Sequence, residues 1–195
     1  LYVPMFVNRK ELWGIIGEVY NQLFYTFLYP YKNIITINQV QRDIFSKYAS
    51  ITIVPNIISK RRFPHCNIKL GTNQTEKRLY FIGRLDKQKR VRELIKWLDS
   101  SQVKFHTFLI IGEGEERNRL EKECKKLKHI QVFFCGWLSP MEQECLLTSN
   151  DVFIINSSYE GDPMAIREAN DRGSQVIARD ILGHKESTYA QNRYR

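Results

Sequence analysis

From residue 78 onward, short apolar runs alternate with longer amphipathic stretches. The runs 78-RLYFI-82, 105-FHTFLII-111, 130-IQVFF-134, 151-DVFII-155 and 175-QVIA-178 are rich in Ile, Val and Phe and predict strands. Between them, 91-VRELIKWLDS-100, 115-EERNRLEKECKKL-127 and 139-SPMEQECLLTS-149 predict helices, and one more helix follows the strand at 151–155. Strands that are apolar on both faces predict a parallel sheet covered by helices on each side. Their strict alternation with helices predicts βαβ units, and so an α/β fold.

The first part of the chain is less regular. It predicts a long helix over about 9–30, a strand at 33–37, a helix at 39–49 capped by Asn38, and a strand at 51–54 that stops at Pro55. Residues 57–77 are polar, with 60-KRR-62, Pro64 and 71-GTN-73, and read as a linker or long surface connection. Residues 1–54 supply too few elements for a complete doubly wound domain, and no closing helix is expected after Glu186. The expected organisation is therefore the end of one domain at 1–56, a linker at 57–77 and a ligand-binding domain at 78–195, in a fragment or truncated product.

Composition narrows the partners. With 43% hydrophobic and 26% charged residues the chain reads as globular, and its formal charge of +9 favours an anionic partner: a phosphorylated ligand, an acidic membrane surface or nucleic acid. No nucleic-acid motif accompanies that charge. Four cysteines without a C-x-x-C pair, and four histidines, argue against a structural zinc site and fit a reducing compartment. The segment 12-LWGIIGEVYNQLFYTFLY-29 is the most apolar, but Glu18, Asn21 and Gln22 interrupt it. That predicts a packed or interfacial helix rather than a membrane span.

In an open parallel sheet, ligands bind beyond the C-terminal ends of the strands, so the loops there carry the chemistry. The first, 83-GRLDKQK-89, has Gly83 for a tight turn and Arg84 and Lys89 as cations able to hold phosphate oxygens. The second, 112-GEGEER-117, lacks the G-x-G-x-x-G spacing, and its carboxylates would repel phosphate; a structural role at the start of the next helix is expected. The third is 157-SSYEGDPMAIREANDRG-173. Asp162 followed by Pro163 predicts a helix start, a cap and then proline at the first helical position, with the amides of Met164 and Ala165 free to bind an anion. Glu160 lies just outside that helix and Glu168 inside it, two carboxylates able to accept hydrogen bonds from hydroxyls. Cations, a helix N-terminus and two hydroxyl acceptors together suit a sugar nucleotide.

The ordered motifs G-R-L-x-x-x-K, I-x-G-x-G-x-E-R, F-x-G-W and S-S-x-E-G-x-P-M-x-x-x-E-A over about 78–186 resemble the retaining glycosyltransferases of family four, which have the GT-B architecture. Residues 33–56, ending 53-IVPN-56, resemble the end of that family's N-terminal, acceptor-side domain. The resemblance implies a Rossmann-like parallel sheet with helices on both faces, the GT-B C-terminal domain, together with an incomplete N-terminal α/β portion. It implies that Arg84 and Lys89 neutralise the donor diphosphate, that Glu160 contacts the donor sugar, and that Glu168 holds the ribose hydroxyls. Gly83, Gly161 and the amides of Asp162, Pro163, Met164 and Ala165 match the loops around sugar and phosphate, proline itself having no N–H; the Cys135-Gly136-Trp137 loop matches the wall near the base. No cofactor and no metal are implied, because the cations balance the leaving group; the donor, a UDP- or GDP-sugar, is a substrate.

Two departures bear on the site. Asp162 would compete with the donor phosphates for the helix amides unless its carboxylate turns away. The stretch 169-ANDRGSQVI-177 replaces the family's small-residue and P-V-V pattern. The leading expectation is transfer of a hexose, with retention of configuration, to a glycan or lipid-linked acceptor in surface polysaccharide biosynthesis. The expected setting is cytoplasmic, peripheral to an anionic membrane, without nucleic acid. The alternative is a non-catalytic relative that binds nucleotide sugar or keeps only the fold. A nicotinamide dehydrogenase is disfavoured by the missing fingerprint glycines.

Overall fold

The computed structural model describes residues 2–3, 15–28, 30–37, 39–54, 56, 76–100, 105–181, 184 and 192–194. Asn38, residues 9–14 and residues 57–75 lie outside them, so the Asn38 cap, the start of the first helix and most of the predicted linker do too.

The described residues form two parallel sheets. The first has three strands, β1 (Tyr2–Val3), β2 (Asn33–Thr36) and β3 (Ser50–Ile53), in that spatial order. Helix α1 (Ile15–Leu28) and helix α2 (Gln39–Phe45) connect them. Leu28, Ile34 and Phe45 form a small buried core there.

The second sheet carries the larger core. Its strands are β4 (Leu79–Ile82), β5 (Thr107–Ile111), β6 (Gln131–Gly136), β7 (Val152–Ile155), β8 (Gln175–Arg179) and β9 (Asn192–Tyr194), in the spatial order β6-β5-β4-β7-β8-β9. Helices α3 (Val91–Ser100), α4 (Arg117–Cys124), α5 (Pro140–Leu146) and α6 (Met164–Arg172) link successive strands. Strand residues alternate between the faces, as a period of two requires. Leu79, Phe81, Phe108, Ile110, Val152 and Ile154 pack with Leu94, Leu98 and Leu120 of α3 and α4. Tyr80, Leu109, Ile111, Phe153 and Ile155 pack with Leu146, Ile166 and Ala169 of α5 and α6 on the other face. Each buried apolar side chain of this kind contributes about 1.5–3 kcal/mol. This is the doubly wound, Rossmann-like arrangement, with helices on both faces.

Its strand order reverses between β4 and β7, and the two strands part there. Only Leu79↔Val152 and Tyr80↔Phe153 are in register, whereas β4 pairs with β5, and β7 with β8, over four residue pairs each. A buried clamp closes the lower end of this seam. Arg78 Nε and Nη2 donate to the Asp151 carboxylate at 2.8 and 2.6 Å, and both side chains are 1% exposed. Arg78 Nη2 also donates to the Leu146 carbonyl, and Thr148 N donates to Asp151, so the pair is well hydrogen-bonded. The seam is shut at its base and open at the C-terminal strand ends.

Several element boundaries differ from the sequence expectation, for local reasons. Helix α4 starts at Arg117, after Glu115 and Glu116, because the Glu116 amide donates to the Leu85 carbonyl at 2.9 Å. Helix α5 ends at Leu146; Leu147 is extended, and Thr148 turns to meet Asp151. Its start is a capping box: Ser139 accepts from the Glu142 amide, and Glu142 accepts from the Ser139 amide at 2.7 Å. Helix α2 ends at Phe45, short of the predicted residue 49. Asp162 is not the cap of α6 and Pro163 is not its first residue: the helix begins at Met164 with Pro163 in the capping position. Gly173, at φ +83°, ends α6 in the left-handed region. Strands β1 and β9 were not expected.

Candidate active site at the sheet switch point

The loops that follow β4 and β7 flank the open end of the seam, where doubly wound sheets bind ligands. The loop after β4 is fixed from below by its neighbours. Gly83 N donates to the Ile111 carbonyl, Leu85 N to Glu113, and Gly112 N to Gly136, at 3.0, 2.8 and 2.7 Å. These contacts stack the loops after β4, β5 and β6, and they need glycine. A Cβ on Gly112 would lie 1.9 Å from the Gly83 carbonyl oxygen, and one on Gly114 would lie 2.3 Å from that of Leu85. The 112-GEG-114 stretch therefore packs loop on loop, and the Glu113 carboxylate is ion-paired with Arg117.

Hydrogen bonds join the two seam loops to each other. Ser158 N and Oγ both donate to the Gln88 carbonyl, at 2.8 and 3.1 Å. Gln88 Nε2 donates to the Tyr159 carbonyl at 3.0 Å, and Asn156 Nδ2 to the Arg90 carbonyl at 3.3 Å. Arg90 has φ +51°, an uncommon conformation for a non-glycine residue. Sequence reasoning missed Gln88, Arg90, Asn156 and Ser158, whose contacts run largely through backbone atoms that no motif encodes. Ser157 Oγ is buried among them, with no hydrogen-bond partner among the described residues.

This arrangement brings Lys89 to Glu160. Asp86 accepts from the Lys89 amide at 3.1 Å, and the Lys89 ammonium donates to Glu160 Oε1 at 2.5 Å. The two side chains are 16% and 10% exposed. Arg84 is not part of that pair; it contacts Asp86 at 3.1 Å and is 73% exposed. Asp162 has turned away from the helix amides. It accepts from Arg167 Nε at 2.8 Å and from Asn56 Nδ2 at 3.1 Å, and is 4% exposed. The amides of Met164 and Ala165 thus lie ahead of the first helical bond, from Ile166 N to the Pro163 carbonyl, without that carboxylate over them. Gly161 links Glu160 to this helix start.

Glu168 sits in the second turn of α6, half-buried. Its carboxylate makes no hydrogen bond or ion pair among the described residues, and nothing joins it to the Lys89–Glu160 pair. Burial pushes its pKa above the usual carboxylate range; Arg172 opposes that rise and Glu144 adds to it. A half-buried carboxylate without a donor is costly unless something else supplies one. On the β6–α5 side, Gly136 adopts φ +71°, and Trp137 beyond it is 72% exposed.

A cleft of about 270 Å³ lies away from this pair, between the starts of α3 and α4. It is lined by Lys87, Arg90, Arg92 and Arg119 but also by Asp86, Glu93 and Glu116, and excludes Lys89, Glu160 and Glu168. No group of three or more metal-ligating side chains occurs among the described residues, and no helix among them is long and apolar enough to cross a membrane.

Known proteins are similar to this chain in sequence and fold. A glycosyltransferase of unknown specificity from Methanocaldococcus jannaschii is 32% identical over 120 residues, covering 60% of this chain and 30% of its own length. The Escherichia coli UDP-Gal:alpha-D-GlcNAc-diphosphoundecaprenol alpha-1,3-galactosyltransferase is 25% identical over 156 residues, covering 73% of this chain and 40% of its own length. The chain thus spans 30% and 40% of the lengths of these two relatives. Among solved structures, a mutant of S. aureus TarM in complex with Fondaparinux, alpha-GlcNAc-glycerol and UDP superposes with a TM-score of 0.66 at 24% identity, covering 93% of this chain and 37% of that protein. That likeness is one of fold. The family model of the glycosyl transferases group 1 matches residues 67–190, which run through β4 to β8 and take in both seam loops; the chain belongs to this GT-B family.

Proposed function

We propose that this chain is the donor-binding part of a retaining hexosyltransferase. It takes a hexose from a UDP- or GDP-sugar to a glycan or lipid-linked acceptor, in surface polysaccharide assembly at the cytoplasmic face of an anionic membrane. The observation that carries this reading is the Lys89–Glu160 pair at the open seam, beside a helix start that its own acidic neighbour leaves uncovered. The E. coli relative, which uses UDP-Gal to make an alpha linkage on a diphosphate-linked lipid, supports the donor class, the acceptor class and retention.

The chemistry follows from the charges. An entering diphosphate competes for the Lys89 ammonium, and Glu160 is released to accept hydrogen bonds from the sugar hydroxyls. Arg84, exposed and paired with Asp86 among the described residues, swings to the same phosphates. As the sugar–oxygen bond breaks, its electron pair stays with the nucleoside diphosphate. Lys89, Arg84 and the Met164 and Ala165 amides stabilise that charge more in the transition state than in the ground state. The acceptor hydroxyl attacks from the same face and gives its proton to the departing diphosphate. Glu160 is a sugar anchor, Glu168 accepts from the ribose, and the reaction runs without cofactor or metal.

The test is a thermal-shift and calorimetry panel of UDP-, GDP- and ADP-glucose and UDP-galactose, with EDTA present. A true donor at a hundredfold excess over its Kd adds about 2.7 kcal/mol of stability. Lys89→Ala and Glu160→Ala should remove that gain. A panel without any shift overturns the proposal. Because the chain spans 30% and 40% of two relatives' lengths, a second reading is a module that binds donor without transferring it. Release of free hexose from a bound donor separates the two: turnover lost in Glu160→Ala supports the enzyme, and binding without turnover supports the module.

A further inference from the structure

Arg172 lies in the 169–177 stretch that departs from the family pattern, one helical turn beyond Glu168. It is 7% exposed, and each of its three nitrogens donates to a group other than Glu168. Nε and Nη2 donate to Glu144 Oε1 of α5 at 3.2 and 2.7 Å, and Nη1 donates to the Tyr80 hydroxyl of β4 at 3.2 Å. The guanidinium also lies 5.9 Å from the centroid of the Tyr80 ring. Tyr80 is fully buried in the sheet, so this cation is fixed to a strand and to a second helix at once. Glu168 is thus within the field of Arg172 while keeping its carboxylate free of any partner among the described residues.

We infer that Arg172 is a positioning residue for ligand recognition: anchored to Glu144 and Tyr80 one helical turn from Glu168, it places a fixed cation beside that carboxylate without covering the oxygens that would meet the hydroxyls of a ribose. A direct ion pair would have covered those oxygens, and an apolar residue would have left the desolvated carboxylate to take up a proton. The inference rests on the proposed role of Glu168. Glu168 faces Arg172 on its own helix and Glu144 on α5, with the Tyr80 hydroxyl of β4 behind Arg172.

The sign follows from those neighbours. Binding that needs ionised Glu168 is full above its pKa and is lost as pH falls through it. Removing the positive neighbour moves the loss to higher pH; removing the negative one moves it lower. The experiment is calorimetry on the full chain from pH 5 to 8, with whichever of UDP-, GDP- and ADP-glucose binds best; their diphosphate diesters do not titrate in this range. Arg172→Gln should raise the pH midpoint of affinity by about one unit, so that below the midpoint binding is about tenfold weaker than in the wild type. Glu144→Gln, at a side chain 42% exposed and tolerant of change, should lower it. Arg172→Lys should restore most of the wild-type profile, and in a Glu168→Gln background none of these changes should move a midpoint. A structural role alone would weaken binding equally at every pH.

The outcomes separate the two readings. If Glu168→Gln weakens binding but Arg172→Gln and Glu144→Gln share the wild-type midpoint, the Arg172 inference falls and Glu168 keeps its role. If Glu168→Gln binds as tightly as the wild type, the ribose role falls and takes the inference with it. Should Arg172→Gln fail to fold, the Glu144→Gln shift decides alone: a lower midpoint supports the inference and an unchanged one overturns it.

Discussion

Lys89 and Glu160 are 71 positions apart in sequence, and among the described residues neither has another partner of opposite charge. Removing one leaves the other charged and largely buried, so Lys89→Met and Glu160→Gln should each cost about 1–3 kcal/mol in urea unfolding. The double substitution should cost less than the sum, with a coupling of about 1–2 kcal/mol; strict additivity would mean that the contact contributes nothing. A second residue-scale expectation concerns Cys124, which packs against the core. Burial first, then Glu123 and Glu121, push its thiol up to about 12. At pH 8 its thiolate fraction is then about one in 10⁴, so iodoacetamide followed by peptide mass spectrometry should find Cys124 unlabelled in the fold and labelled in urea. That Lys89 and Glu160 lie on loops at the C-terminal ends of the strands was legible from the order of the elements. Which cation meets which carboxylate was not, because Arg84 and Lys89 differ only in where the turn at Asp86 sends them.

At the scale of elements, the glycines should rank by what a methyl group would strike. Gly112→Ala forces a Cβ to within 1.9 Å of backbone and should unfold the three-loop stack, with loss of ligand binding. Gly136→Ala meets the ends of two side chains, Glu113 at 3.1 Å and Arg117 at 3.8 Å, and should cost about 1–2 kcal/mol for its left-handed backbone. Equal costs measured by thermal unfolding would contradict the stacking account. Ser139→Ala should cost about 1 kcal/mol through the lost cap of α5. The interior of each element was legible from apolar periodicity. Ends were less so, because they answer to tertiary bonds: Glu116 is drawn off α4 by Leu85, and Asp162 is drawn off α6 by Arg167 and Asn56. Strands β1 and β9 are two and three residues long, too short for an alternation to register.

For the whole molecule, the doubly wound sheet was legible from the succession of strands and helices, but its seam was not. No local pattern says that β4 and β7 separate after two registered pairs while the Arg78–Asp151 clamp holds their base. Asp151→Ala would take away the carboxylate that balances the buried Arg78 charge, at a cost of about 3–5 kcal/mol, and should loosen the seam along its whole length. Hydrogen exchange should then rise in β4 and β7 before it rises in β5, and a bound nucleotide sugar should slow it again; uniform exchange across the sheet would argue that the clamp is local.

The divergence of β4 and β7 has one more consequence. The gap lies between two strands that are in register over two residue pairs alone, so its walls are backbone and not side chains. Substitutions at the rim can therefore change the charge and shape of the loops while the walls stay put. On such a frame the loops can diverge without the fold having to be rebuilt.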